Sequence, residues 1–275
     1  MNHSHRMVFL LPNLMTAGNL FCGFMAVLQI FEGTILRRAD TEGWAGHYQL
    51  SLYFIIGAFI FDILDGRVAR LGGLESPFGR EFDSLADIVS FGVAPALLLF
   101  NIVLYELPNR VGWLIAFIYL ACGALRLARF NALAAEPGGK RIKDFTGFPI
   151  PAAAGLIASI TLLLVNLYED DRSIGNWKYV LGLLMVFLSF MMFSKFRYPS
   201  FKALDWRTRM TIPNLLVTLV LLCLILFTWR YSLAVCFTLY LIYGFVRPRL
   251  PKRFRPVIEE DLEPETPATG AERQL

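Results

Sequence analysis

Charge is scarce in this chain: 17% of its 275 residues are Asp, Glu, Lys or Arg, against about 25% in an ordinary soluble domain. That shortfall excludes a soluble protein built around one large core. Four cysteines, Cys22, Cys122, Cys223 and Cys236, lie far apart inside apolar runs, so neither a disulfide framework nor a zinc-ligand spacing is present. Histidine is rare too. His3 and His5 sit near the N-terminus and His47 is expected in a loop, and none of the three is expected to ligate metal or act in catalysis. A glycine-rich phosphate loop is missing, and so is any Ser/His/Asp arrangement for nucleophilic catalysis.

Apolar sequence fills the chain instead, at 56% hydrophobic residues and a mean hydropathy of +0.54. Runs of about 20 apolar residues read as transmembrane helices. Eight are expected, over about 10–31, 48–71, 81–104, 111–134, 149–168, 177–194, 212–229 and 231–247. The expected fold class is therefore an all-α polytopic membrane bundle, one domain over 1–250. A cytoplasmic tail over 251–275 is expected to be disordered, because from Glu259 it is acidic, rich in Pro, Thr and Ala, and without an apolar period. The first run is too long for the apolar core of a secretion signal, so no cleavable leader is expected.

Lys and Arg sort by connection. Of the 26, one side of the membrane holds Arg37, Arg38, Arg110, Arg172, Lys178 and Arg230, and the rest gather on the other. The positive-inside rule then puts both termini in the cytoplasm, in a prokaryotic cytoplasmic membrane given the short loops and absent transit peptide. Lys252, Arg253 and Arg255 read as topology signals or contacts to anionic headgroups, and no nucleic-acid partner is expected. The segment 198–210 mixes aromatic and basic residues and is expected in the interface plane. Leu11-Pro12-Asn13-Leu14 and Ile212-Pro213-Asn214-Leu215 echo each other; proline near a helix start explains both without a repeat.

Against this background one run stands out: Asp62-Ile63-Leu64-Asp65-Gly66-Arg67-Val68-Ala69-Arg70, followed by Gly79, Asp83 and Asp87. A carboxylate in the membrane is unfavourable by roughly 2.5–3.5 kcal/mol on insertion scales, so four of them imply function. At about 100° per residue, Asp62 and Asp65 share one helix face, and Gly79, Asp83 and Asp87 share a face of the next. Both groups fall at the cytoplasmic membrane edge. Gly66, Ala69 and Gly79 leave room for a ligand beside the carboxylates, or alternatively allow close helix packing. Converging oxygen ligands suit hard divalent cations. Two such cations can bridge a pyrophosphate during displacement at phosphorus, with Arg70 offsetting phosphate charge and one aspartate accepting a proton from an attacking hydroxyl.

The pattern Asp62-x2-Asp65-Gly66-x2-Ala69-Arg70-x8-Gly79-x3-Asp83-x3-Asp87 resembles the defining motif of the CDP-alcohol phosphatidyltransferase family at every fixed position. The resemblance implies a helical membrane enzyme, commonly a homodimer, in which an alcohol displaces CMP from a CDP-linked lipid. It implies that Asp62, Asp65, Asp83 and Asp87 bind two divalent cations, Mg or Mn, and that Asp87 is the catalytic base. Gly66, Arg70, Ser76 and Gly79 match positions that bind the CDP-lipid, and Asn13 to Thr16 resembles the first-span contact to the nucleotide.

The acceptor alcohol varies within the family. Leu11 to Gly23, Arg126-Leu127-Ala128-Arg129-Phe130-Asn131, Gly147-Phe148-Pro149-Ile150-Pro151 and Lys195 to Ser200 resemble its membrane-type phosphatidylserine synthases. That branch implies CDP-diacylglycerol and L-serine as substrates. Arg126, Arg129 and Asn131 could hold a serine carboxylate by charge-assisted hydrogen bonds. The same arginines could hold the phosphate of glycerol 3-phosphate or inositol phosphate, and Arg129 with Asn131 could merely satisfy carbonyls at a helix end. A transporter with an aspartate ion pathway is the remote alternative, disfavoured because the aspartates gather at two helix ends.

Overall fold

Two polar caps and a turn of wide helix determine how the membrane helices meet. The computed structural model describes residues 3–72, 76–135, 145–167, 175–194, 197–198 and 229–246. Its helices are α1 (His3–Arg38), α2 (Trp44–Gly72), α3 (Pro77–Asp87), α4 (Ala94–Ile102), α5 (Val111–Ala135), α6 (Ile150–Leu167), α7 (Trp177–Phe193) and α8 (Trp229–Val246). A π-helical turn, Ile88–Val93, joins α3 to α4 without a break. Two short 3-10 turns, Leu104–Glu106 and Pro108–Arg110, lead into α5. A two-residue antiparallel ladder pairs Phe145–Thr146 with Arg197–Tyr198.

The architecture is helical, as composition predicts. Among the described residues, four of the eight expected spans are helices long and apolar enough to cross a membrane: Pro12–Arg38, Trp44–Val68, Pro77–Ile102 and Pro108–Leu133. Ile150–Val165 and Trp177–Phe193 are shorter apolar helices. The expected span 212–229, the interface segment 198–210 beyond Tyr198, and the tail 251–275 lie outside the described residues.

Two local expectations are corrected. Pro12 does not open its helix but lies inside α1. Thirty-six residues at 1.5 Å rise make α1 about 54 Å long, well beyond a hydrocarbon core of about 30 Å, and its apolar stretch begins at Pro12. His47 is not in a loop. Gly43, at φ 91°, closes the α1–α2 turn, and the helix begins at Trp44. His47 Nδ1 then lies 2.8 Å from Gln29 Oε1 and 3.1 Å from Glu32 Oε2.

Helices α1 and α2 form an antiparallel hairpin. On α1 the buried positions Thr16, Asn19, Cys22, Gly23, Ala26 and Ile30 recur every three or four residues, while Phe21, Phe24, Leu28, Phe31 and Ile35 face outward. That is one helical stripe of small and polar residues, the kind that lets membrane helices approach closely. On α2 the stripe is Tyr48, Leu52, Ile55 and Ala58, and the same period leads on to Asp62 and Asp65. The face that packs α2 into the bundle therefore carries the aspartates.

The α3–α4 run lies parallel to α1. At its start Ser76 Oγ accepts from Gly79 N at 2.9 Å, with Pro77 in the first turn, a cap that satisfies an otherwise orphaned donor. At its end Arg37 donates to the carbonyls of Asn101 and Ile102 at 3.1 and 3.2 Å, between the rings of Trp44 and Tyr105. A guanidinium at a helix C-terminus meets both the free carbonyls and the dipole. Helix α5 returns antiparallel. Its Tyr119 hydroxyl, fully buried, donates to the Phe91 carbonyl in the π turn at 3.0 Å. Tyr119→Phe is expected to lower stability in detergent by about 1 kcal/mol, read from thermal melting, since buried hydrogen bonds contribute about that much. Gly147, at φ 90°, turns the chain against the Met192 backbone before α6; a side chain there would collide with it.

Candidate active site

The site forms where the starts of α1 and α3 meet the ends of α2 and α5. One carboxylate oxygen from each of Asp62, Asp83 and Asp87 lies within 4.8 Å of the others. Asp62 and Asp83 are half-buried, and Asp87 is 6% exposed. Helical period alone puts Asp83 and Asp87 on one face. The parallel packing of α1 and α3 against the end of α2 adds Asp62.

Each carboxylate has a distinct surrounding. Asp65, 5% exposed, accepts from Thr16 Oγ1 at 3.0 Å. The same hydroxyl also approaches the Pro12 carbonyl at 3.1 Å, one turn back in its own helix. Asp87 accepts from Asn19 Nδ2 at 3.0 Å. Ser90 Oγ in turn donates to the Asn19 carbonyl at 2.9 Å, so the π turn and α1 are joined on both sides of Asn19. This contact needs Gly23, where a Cβ would stand 2.8 Å from Ser90 Cα and against its hydroxyl. π turns occur frequently at functional sites, and this one follows directly on Asp87.

The residues expected to hold the lipid nucleotide fall around this cluster. Asn13 Oδ1 and Ser76 Oγ crowd Gly79, at 3.3 and 3.1 Å from where a Cβ would stand. Gly79 is thus a close-approach point between α1 and the α3 cap rather than open space. Gly66 is half-buried, one turn beyond Asp62 on α2. Arg70 lies in the last turns of α2, its side chain outside the described residues.

The three residues expected at the acceptor separate. Arg126 interacts electrostatically with Asp87 and with Tyr240 of α8. Asn131, buried, donates to Glu81 Oε2 at 3.1 Å and to Ser84 Oγ at 2.9 Å, and so ties α5 to α3. Arg129 is exposed. Asn19 and Ser90 were not singled out from the sequence. The available signal was an asparagine inside the apolar run from Ala17 to Val27, where polar residues are disfavoured unless they serve a purpose.

The donor set fits a hard divalent cation. Three anionic oxygens gathered at a membrane edge repel one another unless a cation or protons intervene. Oxygen ligands of one ion at about 2.0–2.6 Å stand within roughly 5 Å of each other, which the observed spacing satisfies. Among the described residues no thiol or imidazole joins the group, and carboxylate oxygens suit hard cations.

Comparison with known proteins gives the same direction. The model of the CDP-alcohol phosphatidyltransferase family matches residues 9–193. The chain is 36% identical over 242 residues to the CDP-diacylglycerol–serine O-phosphatidyltransferase of Helicobacter pylori, covering 87% of this chain and 91% of that one. It is 33% identical over 192 residues to the enzyme of the same name from Bacillus subtilis, covering 70% and 91%. With the archaetidylserine synthase of Methanothermobacter thermautotrophicus it shares 32% over 191 residues, 69% of each chain. A motif complete at every position, a carboxylate cluster assembled from two helices, and a match across most of the length lead to one conclusion: this chain belongs to the CDP-alcohol phosphatidyltransferase family.

Proposed function

We propose that the protein transfers the phosphatidyl group of CDP-diacylglycerol to L-serine, giving phosphatidylserine and CMP. The observation that carries this reading is the convergence of Asp62, Asp83 and Asp87 at the bundle end where Asn13 and Thr16 also lie. The relatives named above support serine as the acceptor, and they do so whether the lipid partner is a diacylglycerol or an archaeal one.

In this mechanism Asn13, Thr16, Gly66, Arg70, Ser76 and Gly79 hold the nucleotide and pyrophosphate, while the acyl chains stay in lipid. Asp62, Asp65, Asp83 and Asp87 would hold two divalent cations, Mg or Mn, which when bound offset the charge on the pyrophosphate oxygens. Asp87 accepts the proton of the serine hydroxyl. The freed oxygen forms a bond to the phosphorus bearing the diacylglycerol, and the bond from that phosphorus to the CMP oxygen breaks. CMP leaves with the electron pair, its charge offset by Arg70. Asn19 keeps Asp87 aimed, and Thr16 keeps Asp65 aimed.

The distribution of Lys and Arg supports a site and both termini facing the cytoplasm, and the bacterial and archaeal relatives support a prokaryotic membrane. The family habit supports a homodimer, and a single domain over 1–250 with a separate tail is the matching organisation. The test is CMP release by purified protein with CDP-diacylglycerol and Mg, offering serine, glycerol 3-phosphate and inositol phosphate separately. Release with serine alone is expected. Release with a phosphorylated acceptor alone would keep the carboxylate site and overturn serine.

A further inference from the structure

Among the described residues, Asn19 Oδ1 on α1 and Arg126 Nε on α5 are sealed from solvent and lack a hydrogen-bond partner. Asn19 is fully buried. Its amide orientation follows from chemistry, because an ionised carboxylate accepts hydrogen bonds and the Asn19 contact to Asp87 must use the NH2 end. The carbonyl end is left beside Asp87 with nothing to accept. Buried acceptors in native proteins are nearly always satisfied, so this one calls for a donor, and none of the described residues supplies it. Arg126 offers the opposite kind of group, a cation with an unengaged N–H, interacting with the same carboxylate.

A molecule that meets all three groups carries a hydroxyl for Asp87, a hydrogen-bond donor for Asn19 and an anion for Arg126. A β-hydroxy-α-amino acid zwitterion has that pattern, and its charged ammonium is the strongest donor such an alcohol can offer. We infer that Asn19 Oδ1 receives the ammonium group of the acceptor and so selects amine-bearing alcohols, while Arg126 takes the carboxylate. This rests on the serine reading above and adds the residue that enforces it. Selection works by exclusion: an acceptor with no donor at that place leaves Asn19 Oδ1 buried and unpaired, the situation that gives enzymes their largest discrimination between near-isosteres.

The experiment compares kcat/KM of the purified full-length protein for L-serine and for 3-hydroxypropionate, which keeps the hydroxyl and carboxylate but lacks the amine. The unaltered protein is expected to prefer serine by about 10⁴-fold. In Asn19→Leu that ratio should fall by about 100-fold, with the KM for serine rising more than kcat falls; Asn19→Ser, which keeps a shorter acceptor, should fall between. If Asn19 only orients Asp87, both acceptors lose kcat in proportion and the ratio stays unchanged, which overturns the inference. Should Asn19→Leu fail to accumulate in membranes, the ratio for Asn19→Ser decides. An unaltered protein that ignores serine but uses glycerol 3-phosphate overturns the serine reading itself, whereas serine use with unchanged ratios in the variants overturns only the role of Asn19.

Discussion

Asp87→Asn and Asp83→Asn are each expected to lower CMP release by about 10³-fold or more while the protein still inserts in membranes. General-base assistance alone contributes about 10²–10⁴-fold, and each substitution also removes an anionic ligand from a three-carboxylate cluster. The loss should be separable from misfolding, because stability is expected to move the other way. Carboxylates within 4.8 Å repel one another in a partly buried site, so replacing one by a neutral amide relieves strain when no cation is bound. In chelator-treated detergent solution, Asp83→Asn should therefore melt above the unaltered protein. Adding Mg should raise the melting temperature of the unaltered protein, as any ligand of the native state does, and should move Asp83→Asn far less. Chelation should abolish CMP release and Mg or Mn restore it. An Asp83→Asn protein that keeps full turnover, or that matches the unaltered protein in its response to Mg, would remove the cluster from the mechanism.

The second large effect is expected at a position with no chemistry of its own. Gly23→Ala places a Cβ 2.8 Å from Ser90 Cα, against backbone that cannot swing aside. Helix α1 must then move away from the π turn, which weakens the Ser90 bond to the Asn19 carbonyl and the Asn19 bond to Asp87. Overpacking of this kind is unfavourable by about 1–3 kcal/mol, and misplacing a catalytic group by about 1 Å can lower the rate by 10²-fold. The contrast is Gly46→Ala on α2, which meets nothing within 4 Å among the described residues and should be neutral or slightly stabilising through helix propensity. Melting curves and kcat for both variants check the prediction. A Gly23→Ala protein with unaltered kcat would show that the α1–π contact does not position Asp87.

The sequence by itself determined whatever depends on the repeat of a single helix. Apolar runs made the chain a helical membrane protein, and spacings of three and four put Asp62 with Asp65 and Asp83 with Asp87 before any packing was known. The motif was legible for the same reason, since all its positions lie on two consecutive helices. Only the tertiary structure decided how helices far apart in sequence register against one another. Asn19 meets Asp87 across 68 residues and Thr16 meets Asp65 across 49, contacts that local spacing cannot express. Asn131 and Arg129, close in sequence to Arg126, turn to Ser84 and to the exterior, because five and three positions along a helix they lie about 140° and 60° away from it. The π turn after Asp87 likewise carries no composition of its own. It is held by Gly23 against Ser90 and by Tyr119 on the Phe91 carbonyl, contacts from two other helices that exist only once the bundle has closed.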